Sequence, residues 1–286
     1  MSMKLKLKQN QMNCPHNPSR GRRSGFTLIE LLVVIGIIAI LSSLGFAGTK
    51  VALQQAAKTR EITAAKSLVG AYLTYPADNY GILLPGNDLT VGVIELPNGD
   101  AVHGPAAQRY PYRLAEFFDY VMEGTVLVNR NASQFDKNDH YLVSLYPALG
   151  MNHQFVGGSR SNGANPVSTS DCLTSLSQAS SAPLVFASAS NGEMGEEQVD
   201  GYCFLTPPNL TGTNWKDIEW TSASSAKDYG HVDARYGGKA VCAFLDGAVR
   251  LHSIEELRDM RLWSHMAAAQ DNPDYRTKKA SGGGRL

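Results

Sequence analysis

The carboxylate of Glu30 is the group in this sequence that least fits the residues around it. It is the only ionisable side chain between Phe26 and Phe46, a run of residues that is otherwise almost wholly apolar. A charged, unpaired carboxylate inside a membrane costs about 3 kcal/mol or more. Such a residue therefore indicates a functional site, and its partner has to be identified.

The element that carries Glu30 is long enough to cross a membrane. Residues 26–46 match the roughly 20 apolar residues that a spanning helix needs. A cleavable secretory signal would have a shorter apolar region, about 7–15 residues, before its cleavage site. Here the run is longer and directly follows Arg-Arg-Ser-Gly at 22–25. The sequence thus predicts one membrane-spanning helix.

Charge is distributed unevenly along the chain, although the formal net charge is zero. Six of the 26 basic residues and none of the 26 acidic residues precede Phe26. The rest of the chain therefore carries 20 basic and 26 acidic residues. A basic segment before an apolar span keeps the N-terminus in the cytoplasm. The mildly acidic remainder disfavours nucleic acid as the partner, because phosphate binding needs a basic face.

A cut between Gly25 and Phe26 would give Glu30 a partner. The new amine on Phe26 would be positive and unpaired at a similar depth. A Glu30 carboxylate on a neighbouring subunit, displaced axially by about 6 Å, would neutralise it. The alternative is that Glu30 lies near the membrane interface and extends towards water.

The stretch "GFTLIELLVVIGIIAIL" resembles the processed segment of type IV prepilins and type II secretion pseudopilins. The resemblance covers residues 20–46. It implies that a prepilin peptidase cuts between Gly25 and Phe26 and methylates the Phe26 amine, and that Glu30 guides subunit assembly. It also implies other pilin or pseudopilin subunits and the inner-membrane assembly machinery as partners, with an exported head.

A second, shorter resemblance lies near the C-terminus. Residues 235–253 look like a segment of large prepilin-like proteins in which nine residues separate a His from a following Asp-Gly. Asp246 and Gly247 match that pattern, but Tyr236 stands where the His would be. A plain β-hairpin accounts for this segment equally well.

Periodicity and turn chemistry predict an α+β, pilin-like architecture. We expect a cleaved leader over 1–25, a long helix over 26–75 that ends before Pro76, and an exported head over 76–270 built on an antiparallel sheet. Residues 271–286 are predicted to be a disordered tail. Predicted strands cover 91–96, 125–129, 182–188, 199–205 and 240–245, with tight turns at 97–100 and 246–247 and helices over 112–123 and 253–268.

Acidic residues near the C-terminus raise the hypothesis of a calcium site. Asp228, Asp233 and Asp246, with His231, could gather around a cation, although their spacing is not that of an EF-hand. The alternative is a solvated turn. No other cofactor is predicted.

The cysteines allow a disulfide without defining one. Cys14 lies in the leader, and Cys172, Cys203 and Cys242 remain after it is removed. Three pairings are open, beside the alternative that all three are small buried apolar residues.

Three aromatic residues lie in a polar stretch. Trp215, Trp220 and Tyr229 could stack on sugars, which would give the head a carbohydrate-binding or adhesive role. The alternative is that they fill a small core.

The sequence thus predicts a structural subunit and no enzyme, since it contains no nucleophile elbow, phosphate loop or zinc-protease motif. Its expected location is the inner membrane, single-pass, with the N-terminus cytoplasmic and the head periplasmic or extracellular. Two alternatives remain open: an exported binding or adhesion module that uses the helix only as a tether, and an exported enzyme on the same stem.

Overall fold

A computed structural model of the chain describes residues 25–134, 136–161, 171–194, 197–210 and 213–277, without the side chains of 43–48, 193–194, 197–198 and 213–214. The predicted leader therefore lies outside the described residues except for Gly25. The chain divides into two compact units, with the boundary between Lys50 and Val51. The fold is a mixture of helices and antiparallel sheet.

The long helix is present and begins and ends close to the predicted residues. The helices are α1 (Leu28–Asp78), α2 (Pro105–Gln108), α3 (Tyr110–Arg113), α4 (Asn131–Gln134), α5 (His140–Leu145) and α6 (His265–Ala269). Short 3₁₀ helices cover Ala115–Phe118, Leu176–Gln178, Ala226–Tyr229, Glu256–Arg258 and Met260–Leu262.

Pro76 lies inside the last turn of α1, so the predicted end at residue 75 was wrong by three residues. Proline removes one backbone donor, but the rest of the last turn can still form. The helix is stopped instead by Tyr80 and Gly81, whose φ angles of 54° and 78° are left-handed. The Gly81 amide donates to the Pro76 carbonyl at 2.8 Å and closes this end.

The strands are short, and one larger sheet organises the head. They are β1 (Asn87–Asp88), β2 (Val93–Glu95), β3 (Ala101–His103), β4 (Leu149–Met151), β5 (Ser159–Arg160), β6 (Leu184–Ser188), β7 (Ser190–Met194), β8 (Glu197–Asp200), β9 (Asn209–Leu210), β10 (Thr213–Asn214), β11 (Lys239–Phe244) and β12 (Val249–Ser253). The four-stranded antiparallel sheet has the order β12-β11-β6-β4. The others pair as β1-β5, β2-β3, β7-β8 and β9-β10, of which β1-β5 is parallel.

Both faces of this sheet are buried, because successive residues of β11 belong alternately to two different core clusters. Val241 and Ala243 belong to the cluster that includes Leu68 and Tyr72 of α1. Cys242 and Phe244 belong to the opposite cluster, built around Trp263. Successive strand residues point to opposite faces. The sheet is therefore packed between the second half of α1 and a layer of C-terminal aromatic residues.

Both predicted hairpin turns are confirmed. Residues 97–100 connect β2 to β3, where Val93 pairs with His103. Asp246 and Gly247 connect β11 to β12, and Gly247 has the positive φ of 79° that such a turn requires.

Several local predictions were wrong. Residues 125–129 form turns and an isolated bridge rather than a strand, residues 112–123 contain only the end of α3 and a 3₁₀ turn, and 253–268 is broken into two 3₁₀ turns before α6. Ser253 and Glu256 form a capping box at the start of this segment, with the Ser253 amide 2.7 Å from the Glu256 carboxylate. Capping alone does not extend a helix, because most helix stability comes from packing.

The first part of the predicted disordered tail is ordered. Pro273 accepts a hydrogen bond from the Met260 amide at 2.9 Å, and the Tyr275 and Thr277 hydroxyls donate to Asp171 at 2.9 and 2.8 Å. Thr277 is buried. These contacts fix residues 271–277 on the head, and the rest of the predicted tail lies outside the described residues.

Candidate functional site

The predicted cleavage site lies in an exposed, non-helical segment. Residues 25–27 precede α1 without regular structure, and the side chain of Phe26 is 81% exposed. A Cβ atom added to Gly25 would meet no atom within 4 Å, and the backbone there is not left-handed. The described residues therefore give no structural reason for a glycine at this position.

Glu30 forms the N-terminal cap of α1. Its Oε2 atom accepts hydrogen bonds from the Thr27 amide at 2.8 Å and the Thr27 hydroxyl at 2.9 Å. The Thr27 hydroxyl oxygen accepts in turn from the Glu30 amide at 3.3 Å. This reciprocal pair is a capping box, which the Thr-x-x-Glu spacing could have predicted. Among the described residues Oε1 has no partner, so one carboxylate oxygen stays available for a cation.

The first turns of α1 are apolar on every side. Leu28, Ile29 and Leu32 are 85, 76 and 67% exposed, and every residue from 28 to 42 is exposed. An ordinary surface helix shows one apolar stripe and a polar opposite face. Apolar surface of this extent is typical of a segment that is covered by another protein or by lipid.

The predicted membrane segment, 26–46, includes 43–46, whose side chains lie outside the described residues. Among the helical residues that the structure describes, no helix has both the length and the apolar character needed to span a bilayer.

The second half of α1 contains a buried charge that the sequence analysis did not identify. Glu61 is fully buried; it accepts hydrogen bonds from the Ser188 and Tyr236 hydroxyls, each at 2.5 Å, and lies 3.7 Å from Arg235. The sequence signal that could have identified Glu61 was its position four residues before Ala65 and seven before Leu68. This spacing puts it on the same helix face as these two core residues. Tyr236, which replaces the His of the second resemblance, thus binds α1 to the head.

The surroundings keep Arg235 charged and Tyr236 protonated. Burial alone would lower the pKa of Arg235, but the neighbouring carboxylates Glu61 and Asp233 outweigh it and raise that pKa. The pKa of Tyr236 is also raised, first by burial and then by Glu61, so its hydroxyl keeps the proton that it donates. Asn129 supports the cluster by donating to Ala57 O at 2.9 Å and to the Tyr236 hydroxyl at 3.1 Å.

The acids of the calcium hypothesis do not converge. Asp228 pairs with Lys216 at 2.9 Å, Asp233 with Arg235 at 3.0 Å, and Asp246 with Arg250 at 3.3 Å. His231 stacks on Tyr202 instead, with ring centroids 4.1 Å apart. Nowhere in the described parts of the chain do three or more His, Cys, Asp or Glu side chains gather as metal ligands would. Each acid is instead paired with a cationic side chain, so the described geometry does not support a calcium site at these residues, and calcium binding stays a prediction.

Cys172, Cys203 and Cys242 form no disulfide, so none of the three open pairings is present in the described residues. Cys203 and Cys242 are buried, and burial raises the pKa of both thiols, that of Cys203 to about 12. Cys172 is partly exposed. The interpretation as small buried residues therefore holds for two of the three, and Cys14 lies outside the described residues.

Two of the three aromatic residues singled out for sugar stacking belong to the core. Tyr229 is fully buried and Trp215 is 6% exposed, with its indole nitrogen donating to Thr206 O at 2.8 Å. Trp220 is only partly buried and lines a surface cleft. The core-filling alternative is correct for Trp215 and Tyr229, and Trp220 remains as a candidate ligand contact.

Comparison with known families supports the first resemblance. Residues 20–46 match the family model described as the prokaryotic N-terminal methylation motif, which places a prepilin-type processed segment at the start of this chain. No curated protein and no solved structure matches the chain.

Proposed function

We propose that this chain is a pilin- or pseudopilin-like structural subunit. A prepilin peptidase would process it after Gly25, and its N-terminal helix would assemble it into a type II secretion pseudopilus or a type IV pilus-like filament. The observation that carries the proposal is the methylation motif over residues 20–46, placed on an exposed segment and a helix start that is apolar on every side.

Processing is supported by the geometry around Gly25. A peptidase must reach its substrate bond in an extended segment, and residues 25–27 are exposed and precede the first helical turn. The reaction belongs to the peptidase, and this chain is its substrate. We propose no catalytic activity for the chain itself.

Assembly is supported by the two oxygens of Glu30. Oε2 caps the helix of its own chain, and Oε1 can meet the Phe26 amine of a neighbouring subunit after cleavage. The exposed apolar side chains at 28–42 would be covered by the helices of other subunits in the filament and by the inner membrane before assembly. The basic residues before Phe26 would keep the N-terminus in the cytoplasm, with the head exported.

Intact-mass measurement and N-terminal sequencing of the protein from its own membranes test processing. The expected result is a chain that starts at Phe26 and carries one added methyl group. A chain still starting at Met1, in cells whose prepilin peptidase is active, would reduce the first helix to a plain anchor.

The tethered binding module is the second candidate, and the cleft beside Trp220 favours it. Electron microscopy of sheared cell-surface fractions separates the two. A filament subunit is expected in the sheared fibres, whereas a tethered module stays with the membranes.

A further inference from the structure

The head contains a groove beside Trp220 that neither assembly nor processing uses. One cavity of about 510 Å³ is lined by Trp220, two arginines, two aspartates and small residues of 222–226 and 237–238. A second cavity of about 440 Å³ shares Ser222, Ser224, Ala226 and Asp233 with it and therefore lies directly beside it; the two together are called the groove. Each volume lies in the range of small-molecule sites, about 300–1,000 Å³.

Trp220 is held at the wall of this groove. Its ring lies against Gly238, where an added Cβ would come within 3.2 Å of the indole, and the left-handed φ of 80° also favours glycine there. No described residue bonds the Trp220 indole nitrogen. The glycine thus supports one part of the ring, another part packs against the core cluster around Trp263, and the ring also lines the groove.

The charged groups of the cavity that Trp220 lines are balanced, whereas the second cavity adds one cation, Lys227. Arg130 and Arg235 are matched by Asp200 and Asp233, with Arg130 Nε 4.0 Å from Asp200 and Arg235 Nε 3.0 Å from Asp233. An anionic ligand would meet the aspartates and a cationic one the arginines. A neutral ligand with both donors and acceptors suits this lining best.

The floor of the groove is fixed before any ligand arrives. Arg235 donates to Ala189 O and is held by Asp233 and Glu61, and it is only 17% exposed. The Asp233 amide donates to Ser188 O at 2.9 Å. Polar groups that are already ordered lose little entropy on binding.

From this geometry we infer that the groove binds a neutral carbohydrate. A sugar ring has an apolar face that stacks on an indole and hydroxyls that both donate and accept, which matches Trp220 beside paired arginine and aspartate groups. The groove includes both cavities, so an oligosaccharide suits it better than a single sugar. This role is independent of filament assembly.

Tryptophan fluorescence provides a direct test on the full chain. Trp215 and Trp263 are 6 and 0% exposed, so of the three tryptophans only Trp220 can respond to a ligand in the groove. The probes are tetrasaccharides of β-1,4-glucose, β-1,4-N-acetylglucosamine and α-1,6-mannose. The protein is kept in a zwitterionic detergent, because sugar-headed detergents would compete.

We expect a saturable change in emission with at least one probe. Trp220→Ala and Ser222→Tyr, which fills the shared part of the groove without removing a core contact, should each weaken binding tenfold or more, measured by calorimetry. The matched control Ile218→Ala removes an exposed apolar side chain two residues from Trp220. Its dissociation constant for the probe should stay within twofold of the wild-type value.

Two results would overturn the inference. One is no emission change with any probe at about 10 mM, a concentration that saturates a site with a Kd of ~1 mM. The other is binding that is equally strong in wild type and Ser222→Tyr, since that variant retains its core and blocks only the groove.

Discussion

Glu30 uses one carboxylate oxygen within its own chain, and no described residue bonds the other. Helix capping and charge neutralisation are therefore separate roles of one residue, and they can be separated by substitution. Glutamine keeps an oxygen that can accept from Thr27 but carries no charge. Leucine removes both.

We predict that Glu30→Gln and Glu30→Leu both reduce filament incorporation at least tenfold while membrane insertion and cleavage stay nearly intact. The reason is that neither side chain neutralises the Phe26 amine of a neighbour. Quantitative immunoblots of sheared filaments and of membranes give both readouts. Normal filaments from Glu30→Gln would leave helix capping as the only role of this side chain.

At Gly25 the prediction concerns cleavage alone. Gly25→Val should abolish removal of the leader and leave the thermal midpoint of the head unchanged, because a Cβ there meets open space. Gly70→Ala, another glycine whose added Cβ would meet no atom within 4 Å, is the matched control and should be processed normally. Mass spectrometry of both variants distinguishes the outcomes, and a correctly cut Gly25→Val would contradict peptidase recognition of the glycine.

At the scale of elements, α1 is joined to the sheet by a buried ionic contact as well as by apolar packing. Glu61 on the helix meets Ser188 at the end of β6 and the Arg235–Tyr236 pair before β11. Removing one partner of a buried pair leaves an uncompensated charge, which is more costly than losing the pair as a whole.

Arg235→Met is accordingly expected to lower the free energy of unfolding of the head by about 3–5 kcal/mol. The double variant with Glu61→Leu should recover most of that loss. Urea unfolding followed by tryptophan fluorescence measures both.

Lys137→Met provides the matched control, because it breaks an ion pair with Glu123 in which both side chains are more than half exposed. Such a pair contributes about 1 kcal/mol or less. If Arg235→Met lowered the free energy of unfolding no more than this control does, the buried ion pair would not be what holds α1 against the sheet.

At the level of the whole molecule, four histidines are expected to make the stability of the fold sensitive to acid. Burial lowers the pKa of His153 to about 4 and also lowers the pKa values of His231, His252 and His265. The unfolded chain takes up these protons below pH ~6.5, whereas the folded chain resists them. The contribution of these histidines to the free energy of unfolding is therefore complete above pH ~6.5 and falls as the pH drops towards 4.

His153 alone should contribute about 3 kcal/mol to this loss. His153→Gln is expected to flatten the dependence of the unfolding free energy on pH in that window, measured by urea titrations at half-unit steps. His103→Gln, on an exposed side chain, serves as control and should leave the slope as in wild type. An unchanged slope in His153→Gln would assign the acid sensitivity to other groups.

The boundary between Lys50 and Val51 predicts that the head folds without the first unit. A chain of residues 51–286 should unfold cooperatively with the emission maximum of the full chain, because the described buried residues begin at Glu61 and the Ala57 carbonyl that supports them is retained. It should also stay dissolved without detergent, since the exposed apolar side chains of 28–42 are gone. A non-cooperative transition would mean that the head depends on the first unit.

The processed segment, the long helix and the two hairpin turns can be predicted from the sequence alone. They depend on neighbours along the chain: apolar length, a Thr-x-x-Glu cap, and glycine where φ must be positive. The other features were settled by the tertiary structure. It paired the acids at 228, 233 and 246 with cations, placed Trp215 in the core and Trp220 on a groove, and ordered residues 271–277. It also joined Glu61 to Tyr236 across 175 residues. Contacts between distant residues depend on how the elements pack, which periodicity and turn signals do not contain.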